Sequence, residues 1–164
     1  MLVSGCCDPF HYYLGWILPG AEIFLSLTLS RLRLTDVDVS HLPDAFHNLH
    51  TLSVVFNTGT NIGLEVLLRL ASNVVTLDLE GNKMEFMRGS QACERLWRQN
   101  SPLRHLNVSH NSFTIQSLIG LFSGAGGSRL LMLDAVIPTH PITQVPARLL
   151  PYLLAKRMLE QVNL

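Results

Sequence analysis

One sentence of sequence occurs twice in this chain, and that repetition limits what it can fold into. Val74, Leu77, Leu79, Asn82 and Met84 stand at the same relative positions as Leu103, Leu106, Val108, Asn111 and Phe113. Both stretches read L-x-x-L-x-L-x-x-N-x-L, with Val, Met or Phe at some apolar places. The second and third apolar residues are two apart, so they share one side of a short strand. The Asn follows where the chain must turn. Its amide can bond backbone groups that a turning chain leaves unpaired in the interior. The last apolar residue then re-enters the core. One such unit cannot bury its own apolar face, so copies must stack.

More copies appear on either side. Leu49, Leu52, Val54 and Asn57 follow the pattern, with Gly59 in the last apolar slot. Phe24, Leu27, Leu29 and Leu34 fall on it too, with Leu32 in place of the Asn. Leu130, Leu133 and Ala135 fit at the other end, where Pro138 replaces the Asn. The first apolar positions, 24, 49, 74, 103 and 130, are separated by 25, 25, 29 and 27 residues. This pattern resembles the leucine-rich repeat family, whose period is about 20–29 residues. The resemblance covers roughly residues 24–137. It implies an α/β fold: a right-handed curved solenoid with parallel β-strands on the concave face and helices on the convex face.

The segments between strands point to the subtype. Ile62, Val66, Leu67 and Leu70 recur at helical spacing, as do Ala92, Cys93, Leu96 and Trp97, and Ile115, Leu118, Ile119 and Phe122. Asn61, Ser90 and Thr114 are the expected caps of these three helices. A helix in each repeat resembles the ribonuclease-inhibitor-like class. The expected organisation is an N-terminal apolar cap or partial repeat over 1–23, a repeat domain over 24–145 and a C-terminal capping helix over 146–164. Prolines 138, 141, 146 and 151 make 138–151 an irregular turn, and Pro151 can start the final helix of that cap at its first position.

Composition narrows the function classes. Lys plus Arg equals Asp plus Glu, twelve each. The basic residues form no stripe, so no nucleic-acid partner is expected. Hydrophobic residues make up 48% of the chain, enough for a sizeable core. Three cysteines, Cys6, Cys7 and Cys93, do not make a disulfide framework, which points to a reducing compartment. The expected location is cytoplasmic, with the nucleus as an alternative. The apolar stretch over 1–30 lacks a positive leading region, and Pro19, Gly20 and Glu22 interrupt it short of the ~20 residues a membrane span needs. No membrane insertion is expected.

Residues between the strand leucines point away from the core and form columns across repeats. Thr28, Ser53, Asp78, Asn107 and Asp134 make one column. Ser26, Thr51, Thr76, His105 and Met132 make the column before it. Ser30, Val55, Glu80, Ser109 and Val136 make the column after, and Arg31, Phe56, Gly81, His110 and Ile137 the next. Apolar residues beside polar ones suit an interface core and rim. The candidate contact residues are Phe56, Asp78, Glu80, His105, Asn107 and His110, with Asn57, Asn82 and Asn111 as structural motif residues. The bland alternative is a solvated sheet face with a few tolerated apolar residues.

Asp78, Glu80, His105 and His110 have metal-ligand chemistry, but nothing in their spacing demands a metal, and no metal or cofactor is expected. Ser109 lies near two histidines, yet no nucleophile elbow occurs. The Gly-rich stretch 124–127 lacks the following Lys of a phosphate loop. Asn107-Val108-Ser109 matches a glycosylation acceptor but falls on a motif strand, where it reads as accidental. The resemblance therefore implies a non-enzymatic, protein-binding module. Its alternatives are the substrate-recognition part of a ubiquitin-ligase adaptor, for which no linking box is seen, and a Ran-type GTPase-activating regulator, which wants a strongly acidic tail. Neither the partner's identity, nor the oligomeric state, nor whether the chain is part of a longer repeat protein is legible from the residues.

Overall fold

Five successive strand segments each place two apolar side chains two apart and send both to one side. Leu27 and Leu29, Leu52 and Val54, Leu77 and Leu79, Leu106 and Val108, and Leu133 and Ala135 are all buried. The computed structural model describes residues 2–4, 25–41, 46–70, 72–85, 96, 101–112, 114, 117, 130–135 and 161–163. Its strands are β1 (Leu2–Ser4), β2 (Ser26–Ser30), β3 (Thr51–Val55), β4 (Thr76–Asp78), β5 (His105–Asn107), β6 (Met132–Asp134) and β7 (Gln161–Asn163). They form one seven-stranded sheet in the order β1 to β7, and every neighbouring pair is parallel. The fold is therefore α/β with a parallel sheet. Strand order never reverses across these seven, so the sheet has no switch point of the kind that binds nucleotides in doubly wound folds.

Register repeats from strand to strand. Ser26, Thr51, Thr76, His105 and Met132 are successive partners, and so are Thr28, Ser53, Asp78, Asn107 and Asp134. A recurring backbone device starts β3, β4, β5 and β6. The N–H groups of His50 and Thr51 both donate to the Leu25 carbonyl. Val75 and Thr76 donate to His50, Arg104 and His105 to Val75, and Leu131 and Met132 to Arg104. A one-residue slip would exchange the buried and outward sets, so the apolar alternation reinforces that register.

Behind the strands the core is completed by Leu49, Val74, Leu103 and Leu130, and by Leu34 and Met84 after the turns. Fully burying each Leu contributes about 1.5–3 kcal/mol, so stacked repeats supply what one lacks.

Two helices are described in full: α1 (Asp36–Ser40) and α2 (Asn61–Leu70), which pack against each other. A 3-10 turn at Phe46–Asn48 precedes β3 and buries Phe46. Helix α1 was not expected from periodicity, because five residues are too few to show one. Its signal is local. Thr35 and Asp38 form a reciprocal capping box, in which Asp38 Oδ2 accepts from the Thr35 N–H at 2.7 Å.

Helix α2 corrects two expectations. Its spacing with Val66, Leu67 and Leu70 puts Ile62 on the apolar side of the helix, but it is 66% exposed. The buried side is Gly63, Leu64 and Leu67. Asn61 was expected to cap the helix, but Thr60 does so, with its Oγ1 accepting from the Ile62 N–H at 3.3 Å. Asn61 instead reaches the next repeat, accepting from the Glu85 N–H at 3.1 Å. A second cap comes from the preceding repeat. Asp36 Oδ1 accepts from the N–H groups of Thr60 (2.8 Å) and Gly63 (3.0 Å), and Asp36 Oδ2 from the Thr60 hydroxyl (2.6 Å). Gly63 is needed there, because an added Cβ would lie 2.6 Å from Asp36 Oδ1.

At the other inter-strand segments, Leu96 is helical and buried, and Thr114 caps Ser117 as a helix start (Ser117 N–H to Thr114 Oγ1, 3.1 Å). The rest of those helices, the Ser90 cap, residues 136–145 and most of 1–23 lie outside the described residues. The C-terminal helix expected over 146–164 is corrected at its end. Gln161–Asn163 is a strand whose Val162 pairs with Leu133; residues 146–160 lie outside the described set. The sequence Gln-Val-Asn puts one apolar residue between two polar ones, which suits an alternating strand as well as a helix turn.

Candidate functional site

In the four described repeats, the residue just before the motif Asn position, which Leu32 fills in the first, has the same backbone shape. Arg31, Phe56, Gly81 and His110 have φ of 56°, 51°, 69° and 56°. This left-handed conformation costs a non-Gly residue about 1–2 kcal/mol. The turn it makes swings the following side chain inward, and the amides there recover hydrogen bonds. Asn57 Oδ1 accepts from the N–H groups of Leu32 (3.0 Å) and Leu34 (3.1 Å), and its Nδ2 donates to the carbonyls of Leu29 (3.0 Å) and Val55 (3.1 Å). Asn111 Oδ1 accepts from the Met84 N–H, and its Nδ2 donates to the carbonyls of Leu79, Val108 and Ser109. Asn82 Nδ2 donates to the carbonyls of Val54, Leu79 and Glu80. All three side chains are buried and span two repeats.

The same turn throws the preceding side chain outward. Phe56 is 42% exposed, and its ring lies against Gly81, where an added Cβ would overlap the ring carbons. Arg31 approaches the ring with its guanidinium carbon 5.0 Å from the centroid. Arg31, Phe56 and Gly81 thus form a small stack across three repeats. Its ordering explains why an exposed aromatic is held in one orientation.

Next to it the polar candidates meet. The Phe56 N–H donates to the Glu80 carbonyl at 2.8 Å. Glu80 Oε2 accepts from Asn107 Nδ2 at 3.3 Å, and its Oε1 lies 3.9 Å from His110 Nε2. Asp78 and Asn107 are register partners, and each folds its side chain over its own turn. Asp78 Oδ1 accepts from the Glu80 N–H (3.2 Å) and Asn107 Oδ1 from the Ser109 N–H (3.0 Å). Burial pushes the Asp78 carboxyl above its ordinary value, and the nearby negative charges of Glu80 and Asp134 push the same way. Hydrogen bonds from the Glu80 backbone and the Asn107 side chain oppose the shift.

Of the six candidate contact residues, five adjoin: Phe56, Asp78, Glu80, Asn107 and His110. His105 stands apart, exposed at the start of β5 between Thr76 and Met132. Among the described residues no three His, Cys, Asp or Glu side chains are placed to share a metal ion, so Asp78, Glu80, His105 and His110 do not converge. Column reading missed the role of Arg31 and the need for Gly81. Both follow from a ring leaning one repeat sideways, which the spacing of 25 residues places in reach but does not orient.

Among the described residues no helix is long and apolar enough to cross a membrane. No family model matches the chain, and no curated protein matches it.

Proposed function

We propose that this chain is a leucine-rich-repeat solenoid of the helix-bearing, ribonuclease-inhibitor-like class, and that it binds another protein, without catalysis, along its strand face. The recurring strand, left-handed turn and inward Asn at 57, 82 and 111 support the repeat assignment. The observation that carries the binding role is Phe56. A large apolar ring stands exposed in the turn just after β3, fixed by Arg31 and Gly81 and next to Glu80, which Asn107 and His110 approach in turn. Interfaces favour such a rigid aromatic anchor within a polar rim. The outward residues of β2 to β6, held in regular register, give the surface on which such an anchor is usable.

A photo-cross-linking amino acid placed at Ser53, beside Phe56 on the strand face, tests this. Expression in cells should give a discrete cross-linked adduct with one protein, reduced at least severalfold by adding Phe56→Ala. The same label at Arg69, on α2, should not give that adduct. Equal adducts from both positions, or none sensitive to Phe56, would sink the reading.

A further inference from the structure

The strand face divides by charge. The outward residues of β2 and β3 are Ser26, Thr28, Ser30, Thr51, Ser53 and Val55, and none is ionisable. Carboxylates begin with Asp78 on β4 and Glu80 just after it, and recur at Asp134 on β6. The other end carries cations. Arg31 directly follows β2 and Arg33 comes two residues later; both are exposed, with φ of 56° and 55°. Arg31 is held at both ends. Its N–H donates to the Val55 carbonyl at 3.1 Å, and its guanidinium carbon lies 5.0 Å from the Phe56 ring centroid. No acceptor among the described residues takes a hydrogen bond from that guanidinium. Contact with a ring face uses the charge of a guanidinium and spares most of its five N–H donors.

Resting on the protein-binding reading above, we propose that the partner places an Asp or Glu carboxylate on the Arg31 guanidinium, at the β2–β3 end of the strand face and beside the Phe56 anchor. The chemistry fits, because a guanidinium is a planar fork that matches the two oxygens of a carboxylate. The ordering fits as well. Immobilising a free Arg on binding costs rotamer entropy, and here the ring and the turn already restrict it. Arg33, two residues along the chain, adds a second positive charge within a Debye length. The hydroxyls of Thr28, Ser30 and Ser53 have no hydrogen-bond partner among the described residues, so the same two strands offer further donors. Other occupants are disfavoured. An apolar segment covering Arg31 would desolvate its donors with nothing in return. A basic segment would meet Arg31 and Arg33. A nucleic acid strand lying across the sheet would carry further phosphates onto Asp78, Glu80 and Asp134. A single carboxylate avoids them, since β2 and β4 are two strand spacings, about 10 Å, apart.

The test is a random-peptide selection on the full chain, with enriched peptides synthesised and their affinities measured. Enrichment of Asp or Glu is expected. Changing that residue of the peptide to Asn or Gln keeps its shape and removes its charge, and should weaken binding about tenfold. Arg31→Gln should weaken the acidic peptide by a similar factor and its amide counterpart by less than about twofold. If Arg31 served only to orient the Phe56 ring, both peptides would lose affinity equally. Raising salt should weaken the acidic peptide and spare the amide one. Circular dichroism of Arg31→Gln and Phe56→Ala confirms that each is folded, and the peptide's amide form and the salt series read the same contact on the unaltered chain. Peptides that respond to Phe56→Ala but carry no acidic residue, or that lose affinity to Arg31→Gln equally in both forms, would overturn the carboxylate proposal and leave the binding face standing. If no enriched peptide responds to Phe56→Ala or Arg31→Gln, both the proposal and the binding face fall.

Discussion

Asn57 and Asn82 occupy the same place in consecutive repeats, yet their amides are not used alike. Asn57 spends both ends: its oxygen takes two backbone N–H groups of the preceding repeat, and its nitrogen serves two carbonyls. Asn82 spends only its nitrogen. Its Oδ1 has no hydrogen-bond partner although the residue is 5% exposed. The difference lies one repeat earlier. Leu34 and Met84 fill the last apolar slot before Asn57 and Asn111, and their N–H groups bond those amides. The corresponding slot before Asn82 is Gly59. Next to it, the Thr60 N–H and hydroxyl are taken by Asp36. A motif letter therefore fixes where an amide sits, and its neighbour decides what the amide can do.

That contrast sets the largest expected effect. Asn57→Ala strips two N–H groups and the Leu29 carbonyl of a buried partner, while the Val55 carbonyl keeps the Arg31 N–H, and each orphaned group costs about 1–3 kcal/mol. Allowing for relaxation, a loss of about 3 kcal/mol is expected from urea unfolding. Asn82→Ala removes bonds to carbonyls alone and also removes an unsatisfied oxygen, so it should cost at least ~1 kcal/mol less. Equal losses would break the comparison.

Next in size is the Asp36 cap. Gly63→Ala pushes a methyl group against Asp36 Oδ1, and losing such a cap costs about 1–2 kcal/mol. With Asp36→Ala already present the obstacle is gone. Ala then favours a helix over Gly by about 1 kcal/mol, so the same substitution should become stabilising. A thermal melt of the four proteins in the cycle reads this change of sign. No change of sign would show that Asp36 does not set the N-terminus of α2.

These cases mark what the residues alone disclose. The strand register was legible, since leucines two apart and motif copies starting at 49, 74 and 103 place Asp78 opposite Asn107 and Ser53 without further information. The inward Asn was legible for the same reason. Helix α1 was not, because periodicity needs several turns and Asp36–Ser40 has little more than one. Its Thr35–Asp38 box was the available signal. Ile62 misled because apolar spacing defines a stripe without saying which edge faces inward, and Gly63 opens the closer edge to Asp36. At the candidate site, columns placed Phe56, Glu80 and His110 side by side. The lean of the Phe56 ring over Gly81 depends on a glycine 25 residues away.

A smaller effect separates Asp78 from its register partner. Asn107 makes the same turn as Asp78 with an uncharged oxygen. The folded state raises the Asp78 pKa, so ionising it disfavours folding. Below the ordinary value of 3.8 the carboxyl is protonated in both states and nothing is lost. As pH rises above 3.8, the unfolded chain ionises first and stability falls until the folded carboxyl ionises too. Asp78→Asn should therefore match the parent in acid and exceed it at neutral pH, by less than about 1 kcal/mol for a partly exposed charge. Urea midpoints at the two pH values check it. A neutral-pH loss would mean that the carboxylate makes a contact its amide cannot.

The smallest effect returns to the difference between Asn57 and Asn82. A Cβ at Gly59 would meet Asn82 Oδ1 at 3.6 Å, Met84 Cε at 3.9 Å and Asp36 Oδ1 at 4.0 Å, all ordinary contacts. Gly59 is absent from the positive-φ residues, so Ala is not strained there. Gly59→Ala should then be neutral or stabilise by up to about 1 kcal/mol, chiefly by restricting the unfolded chain. Its further value is as a probe of the unpaired oxygen. If the methyl group leaves the backbone where it is, Asn82→Ala should cost as little in the Gly59→Ala background as in the parent. If it draws the Gly59 backbone into the position that Leu34 holds beside Asn57, Asn82 gains an N–H partner, and Asn82→Ala becomes more costly by about 1 kcal/mol, the worth of one hydrogen bond. The double-mutant cycle separates these outcomes, and a positive coupling would show that one glycine is what makes the two repeats unequal.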